Sequence, residues 1–271
     1  LTISFCGTEM VRPTIPIGNR LQLRMSERSL TLAFYSDFAG HYEKIFPYRE
    51  GVFAFLDQWL PPGGTILDVG CGNGRYCLAL DKSGRKTVGI DLDPGMIGEA
   101  EALHPAGDYR ILGMEQIGLL PAAGFSGIIC IGNVLPHLTT GLLNSFLMDI
   151  KKLLIPGGVW IFQTVNFDPI LRQKEYRFPD RLFPADNLKF LRRYEDIQPG
   201  RLTFHTTLLA GTENVFRGEV TLYPRTSVEY VLGHGKAGFT QLAHCADFSG
   251  REFDPTANSG SVFVFRRDED S

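Results

Sequence analysis

An α/β doubly wound fold is what this sequence predicts, and three observations carry the expectation. Short apolar runs alternate with amphipathic stretches from Thr65 onward, a glycine-dense turn follows the first run at once, and Asp91 closes the second. Thr65-Ile-Leu-Asp-Val69 comes after the turn signal Pro61-Pro-Gly-Gly64 and has the length and composition of a buried parallel strand. Further strands are expected at Thr87–Ile90, Tyr109–Leu112, Gly127–Gly132 and Val159–Thr164. Helices are expected between them at Cys77–Leu80, Pro94–Ala102 and Leu142–Leu154, with Asp93 as the N-cap before Pro94.

Upstream of the sheet, apolar residues between Ser29 and Trp59 recur at helical spacing and are interrupted at Pro47, which predicts two amphipathic helices over residues 29–60. Residues 1–28 lack any period and read as a flexible arm, with Leu1 and Met25 both open as the natural start. Residues 61–271 then form the main domain. Within it the rhythm changes at about 170–224, where Leu188–Tyr194, Leu202–Leu209 and Val215–Tyr223, joined at Pro199-Gly200 and Gly211-Thr212, predict an inserted antiparallel β meander. A helix from Ser227 to Leu232 and strands at Gln241–Ala246 and Ser261–Arg267 complete the chain.

Composition narrows the function classes. The chain has 271 residues, 44% hydrophobic and 21% charged, with a net charge of -3. That balance offers no electrostatic footprint for a nucleic-acid backbone, so small molecules are the expected partners. The five cysteines are scattered without zinc-ligand spacing, which reads as free thiols of a cytoplasmic protein with no metal site. No apolar run reaches the roughly 20 residues of a membrane-spanning helix, so no membrane partner is expected.

Leu67-Asp-Val-Gly-Cys-Gly-Asn-Gly74 places glycines at alternate positions in a strand-to-helix turn, where missing side chains let backbone and ligand come close. Arg75 stands where a dinucleotide fingerprint needs glycine, and no lysine with Ser/Thr closes the loop as in a triphosphate-binding P-loop. About twenty residues on, Asp91 at the end of the second strand is placed to accept hydrogen bonds from ribose hydroxyls. Read alone, Asp91 also fits a helix cap.

The span from Gly64 to Asn166 resembles the class I S-adenosylmethionine-dependent methyltransferases. Asp68-Val-Gly-Cys-Gly-Asn-Gly74 matches that family's first motif, Gly89-Ile-Asp-Leu-Asp-Pro-Gly-Met96 its second, and Asn133-Val-Leu-Pro-His-Leu138 its segment after strand four. Leu154-Ile-Pro-Gly-Gly158 looks like the turn before its strand five. The resemblance implies a Rossmann-like, doubly wound, seven-stranded sheet with one antiparallel strand and S-adenosylmethionine as cofactor. It implies that Gly70, Cys71, Gly72 and Gly74 form the turn around the methionine part, that Asp68 orients the amino-acid end, and that Asp91 binds ribose. By the same resemblance Leu92 packs on adenine, Asn133 faces the methionine ammonium, and Tyr42 covers the site as part of a lid. The family's acidic residue after strand three has no clear counterpart, since Met114 occupies the position with Glu115 beside it.

The resemblance implies methyl transfer to a nitrogen or oxygen of a small molecule. His137, Asn166 and His205 are the candidate catalytic residues, each with an ordinary alternative as a packed, loop-forming or strand-face residue. The arginines between Arg172 and Arg193 read either as a solvated face or as a site for an anionic acceptor, since arginine offers a bidentate fork to carboxylate or phosphate. The meander would then cover the acceptor, with a homodimer contact as a further expectation. The competing functions are a non-catalytic S-adenosylmethionine-binding regulator and, last, a nicotinamide-dependent oxidoreductase.

Overall fold

The structure is a computed structural model describing residues 39–269. The expected arm at residues 1–28 and the beginning of the helical region at 29–38 lie outside the described residues. Two helices open it: α1 (Ala39–Ile45) and α2 (Glu50–Trp59), separated at Pro47 as the sequence predicts. Val52, Phe55 and Leu56 bury one face of α2 against the sheet.

The main sheet is built from β1 (Thr65–Val69), β2 (Lys86–Asp91), β3 (Asp108–Ile111), β4 (Phe125–Cys130) and β5 (Leu154–Val165). It is interleaved with α3 (Arg75–Lys82), α4 (Pro94–Leu103) and α5 (Thr140–Leu153). Five further strands form the meander: β6 (Tyr176–Arg177), β7 (Arg181–Phe183), β8 (Leu188–Gln198), β9 (Arg201–Ala210) and β10 (Glu213–Leu222). The chain closes with α6 (Ser227–Lys236), β11 (Phe239–Cys245) and β12 (Gly260–Arg267).

The seven-stranded sheet runs β11-β12-β5-β4-β1-β2-β3. Only β12 opposes its neighbours, pairing antiparallel to both β5 and β11. The order reverses between β1 and β4, so the carboxyl ends of those strands open a crevice, the usual ligand position in a doubly wound sheet. Helices cover both faces, which is why the central strands are apolar throughout, β4 being buried at every residue. Strand β5 begins earlier than the sequence predicts. Leu154 is fully buried and pairs with Phe125, and the chain then bulges outward through Ile155-Pro-Gly-Gly158 before pairing resumes at Val159.

The meander forms its own sheet, β10-β9-β8-β6, with β7 also on β8. Its three long strands lie where the hydrophobic alternation predicts them, whereas the short β6 and β7 carry too few residues to show a period. Alternate residues Leu188, Phe190, Tyr194, Leu202, Leu208, Phe216, Val220 and Leu222 point inward and pack with Ile45, Phe167 and Ile170. Ile45 thereby joins α1 to the meander.

Under the opposite face of the main sheet, Trp160 Nε1 donates to His234 Nε2 at 3.0 Å, and His234 stacks on Phe162 and Phe265. Burial holds the His234 imidazole down at a pKa of about 4, so it is neutral and accepts the indole proton. Because the folded value lies below the ordinary one, this group's contribution is full at neutral pH and is lost as pH falls from about 6.5 through 4. His234→Phe is expected to cost about 1–3 kcal/mol at pH 7, by orphaning the Trp160 donor, and progressively less on acidification. Urea denaturation of both proteins from pH 7 to 4 checks this; a constant difference would contradict it.

Candidate active site

The glycine turn links β1 to α3, and its shape is set by protein contacts as much as by any ligand. Gly70, Gly72 and Gly74 have φ of 74°, 53° and 72°, a region that side-chain-bearing residues rarely adopt. Gly70 and Cys71 donate to Ile90 O at 2.8 and 3.0 Å, and Gly72 donates to Asp91 Oδ2 at 2.9 Å. A Cβ on Gly74 would lie 2.7 Å from Tyr109 Oη, behind the turn, so Gly74 serves packing and lies outside the cavity lining. A Cβ on Gly72 would meet Tyr42 Oη at 3.3 Å, inside the cavity.

Asp91 does two jobs at the tip of β2. Besides the bond from Gly72, its Oδ1 accepts from Asp93 N at 2.9 Å, and a carboxylate has acceptor sites beyond these two bonds. Asp93 is the N-cap of α4, its carboxylate accepting from Gly95 N at 2.7 Å and Met96 N at 3.2 Å, in agreement with the sequence. Burial raises the Asp91 pKa, while the N–H groups of Asp93 and Gly72 oppose that rise.

These residues open into a cavity of about 1650 Å³ that continues beneath the meander. Of the residues predicted at the cofactor end, Tyr42, Asp68, Gly70, Cys71, Gly72, Asp91, Leu92, Met114, Glu115 and Asn133 all line it. Asp68 is only 3% exposed, and burial pushes its carboxyl up to a pKa of about 7. Asn133 lines the wall through a strained turn at φ 65°, its side chain accepting from Val165 N at 2.8 Å and so tying the ends of β4 and β5.

The three predicted catalytic residues separate. His137 lines the cavity, in the short turn Leu135–His137, and burial lowers its pKa to about 4. Asn166 does not line it: the side chain is 2% exposed and donates to Pro255 O at 3.0 Å and Asn258 O at 2.9 Å, locking two loops together. The neighbouring Asp168 is likewise engaged, accepting from Ser227 N and Oγ at the start of α6. His205 sits on the opposite face of the meander, 3.1 Å from Glu195 and 3.6 Å from Glu219. Both are corrected to structural positions by the partners they hold.

Glu43 carries no motif or spacing that would single it out. Its carboxylate accepts from Asn73 Nδ2 at 2.9 Å and pairs with Arg75 Nε at 2.6 Å, fastening α1 over the glycine turn. Arg75, the residue that breaks the dinucleotide fingerprint, is thus used to hold α1. At the other end of α1, Lys44 pairs with Asp186 and Arg181 Nη1 donates to Ile45 O at 2.9 Å.

The model of the methyltransferase domain family matches residues 66–158. This stretch is similar to a methyltransferase domain. The same region is 31% identical over 113 residues to the ubiquinone biosynthesis O-methyltransferase of Xanthomonas campestris pv. campestris, covering 40% of this chain and 46% of that protein. It is 31% identical over 104 residues to the malonyl-[acyl-carrier protein] O-methyltransferase of Serratia marcescens, covering 38% and 39%. The chain therefore spans less than half the length of these relatives.

In overall fold the chain is similar to the CcbJ methyltransferase of Streptomyces caelestis, with TM-score 0.73, 21% identity and coverage of 87% and 98%. It is also similar to the sugar N-methyltransferase KedS8 of Streptoalloteichus sp., with TM-score 0.62, 19% identity and coverage of 97% and 100%. These likenesses extend over the meander, which the domain match does not reach.

The residues present fit S-adenosylmethionine, the cofactor of this family. Asp91 keeps acceptor capacity at the end of β2, Gly72 leaves the space a side chain would fill, and Asp68 and Asp91 put carboxyl groups where a cationic ligand would sit. Leu92, Met96 and Met114 supply apolar wall between them.

Two outcomes are expected here. Asp91→Asn keeps the shape but loses charge-assisted acceptance, so it should lower the melting temperature and weaken S-adenosylmethionine binding at least tenfold, each such bond being worth roughly 1.5–3 kcal/mol. Wild-type affinity in the folded variant would remove Asp91 from the binding site. For Asp68 the folded pKa lies above the ordinary value, so its contribution is full below about pH 4 and is lost as pH rises through about 7. The stability difference between wild type and Asp68→Asn should therefore shift against the wild type across that window, and a flat difference by chemical denaturation would contradict it.

Proposed function

We propose that this protein transfers a methyl group from S-adenosylmethionine to a nitrogen or oxygen of a small-molecule acceptor, releasing S-adenosylhomocysteine and a proton. The observation that carries this reading is the continuity of the cavity: one space runs from the glycine turn and Asp91, past Tyr42 and His137, to the inner face of the meander. A cofactor at one end and an acceptor at the other would share it.

When bound, the cofactor supplies a methyl group already activated on a sulfonium, so the protein's task is to position the acceptor in line and exclude water. Tyr42 on α1 covers the turn, and the fastening of α1 by Glu43 closes that side. His137 is neutral at pH 7 and can accept a hydrogen bond from an acceptor O–H or N–H, but with a pKa of about 4 it is a weak base. Its environment suits an acceptor atom that is a free amine or an acidic hydroxyl.

Polar groups of Tyr42, His137, Thr206, Tyr223 and Arg192 face the same space, which favours turnover over a binding-only role. The relatives named as O-methyltransferases support an oxygen acceptor, while KedS8 acts on a sugar nitrogen.

Calorimetric titration with S-adenosylmethionine and S-adenosylhomocysteine, with NADH and NADPH as controls, tests the reading. Saturable binding of the sulfur compounds alone is expected. A folded protein that binds neither, or that binds the nicotinamide compounds instead, would overturn it.

A further inference from the structure

The inner face of the meander is largely apolar, with few polar groups among its rings and aliphatic side chains. Along β8 the inward residues are Leu188, Phe190, Arg192 and Tyr194, facing Leu202, Phe204, Thr206 and Leu208 on β9, and then Phe216, Gly218, Val220 and Leu222 on β10. Arg192 is the charged residue that the three long strands place on that face, with Arg181 of β7, opposite Phe190, as a second cation beside it. Its cross-strand row runs from Arg192 through Thr206 to Gly218, from the longest side chain to none.

Among the described residues no carboxylate pairs with Arg192 within salt-bridge distance, and its Nε is buried without a hydrogen-bond partner. The guanidinium rests on the rings of Phe178 at 4.7 Å and Phe190 at 5.7 Å. Cation–π contact offsets part of the desolvation of an arginine but satisfies none of its five N–H donors. Burial, with the nearby Arg181 charge adding to it, lowers the Arg192 pKa to about 10, still leaving the group cationic at neutral pH. Arg181 and Arg49 line the same cavity. Glu219, the acidic residue of β10 that reaches the lining, belongs to the outward register and pairs with His205.

A cation held on an apolar face with open donors is costly unless a ligand completes it. Around it the walls are ring faces: Phe178, Tyr194 and Phe204 pack with centroids 5.0–6.5 Å apart, and all three line the cavity. Planar arginine meets a planar carboxylate with two parallel hydrogen bonds, and aromatic walls best accept a flat apolar body. We infer that Arg192 is a specificity-determining residue that binds the carboxylate of an aromatic acid, and that such acids are the acceptor class of the proposed methyl transfer. This assignment rests on the methyl-transfer reading for the word acceptor, and on the geometry of β8 alone for the anion site.

The probes are benzoate, 4-hydroxybenzoate and cinnamate, each compared with its amide, and phenyl phosphate, titrated into the protein with and without saturating S-adenosylhomocysteine. The acids are expected to bind and raise the melting temperature while the amides do not. Arg192→Met should weaken acid binding at least tenfold and leave S-adenosylhomocysteine affinity within twofold, and Arg192→Lys should retain part of the acid response. Equal response to acids and amides, acid binding that survives in Arg192→Met, or no acid response from a wild type that binds S-adenosylhomocysteine would overturn the inference. Tighter binding of phenyl phosphate than of every acid would overturn the carboxylate assignment. Should the acids bind in an Arg192-dependent way while S-adenosylhomocysteine does not bind, the anion site stands and the methyl-transfer reading falls.

Discussion

A single half-buried carboxylate organises the cofactor end of this molecule. Asp91 takes the Gly72 N–H on one oxygen and the Asp93 N–H on the other, so the tip of β2, the glycine turn and the entry to α4 are fixed relative to each other by one side chain. The glycines can then hold their positive φ without side chains to stabilise them, and Tyr109 and Val134 pack into the space they leave. Asp91 is both a structural joint and a wall of the cavity, which is why burial and the backbone N–H donors around it pull its proton affinity in opposite directions.

The second wall comes from a different kind of element. The meander contributes an apolar face with its own core, linked to the main sheet through the continuation of β5 into Phe167 and Ile170, and through Ile45 on α1. The chemistry proposed here needs both walls, one to present an activated methyl and one to present an acceptor. The main sheet supplies rigid strand ends and backbone N–H groups, whereas the meander supplies side chains. A division of that kind lets the acceptor side vary without disturbing the turn.

Much of the cofactor end was legible in the sequence because its demands are local. Alternate glycines, a strand-closing aspartate and a proline-flanked cap each leave a mark within a few residues, and the five central strands lie close to where the apolar runs put them. Asn166 was misread because its partners, the carbonyls of Pro255 and Asn258, are some ninety residues away and leave no trace beside it. His205 and Arg192 differ in this respect. Two-residue alternation along β8 and β9 puts Arg192 with Phe190 and Tyr194 on the inner face and His205 on the outer one, so the signal was present in the strand pattern. Glu43 left none, since a lone carboxylate on a helix gives no indication of Asn73 and Arg75 thirty residues on.

The fastening of α1 has a consequence for ionic strength. Its polar ties, Glu43 to Arg75 and Lys44 to Asp186, are between groups roughly two-fifths exposed, whereas the Asp91 joint is made of hydrogen bonds to backbone in a half-buried setting. Exposed ion pairs are worth about 0–1 kcal/mol and are weakened by dissolved ions, while short, partly buried hydrogen bonds are screened far less. Added salt therefore loosens the cover before it disturbs the floor, and the two ends of one cavity respond to the same medium on different scales.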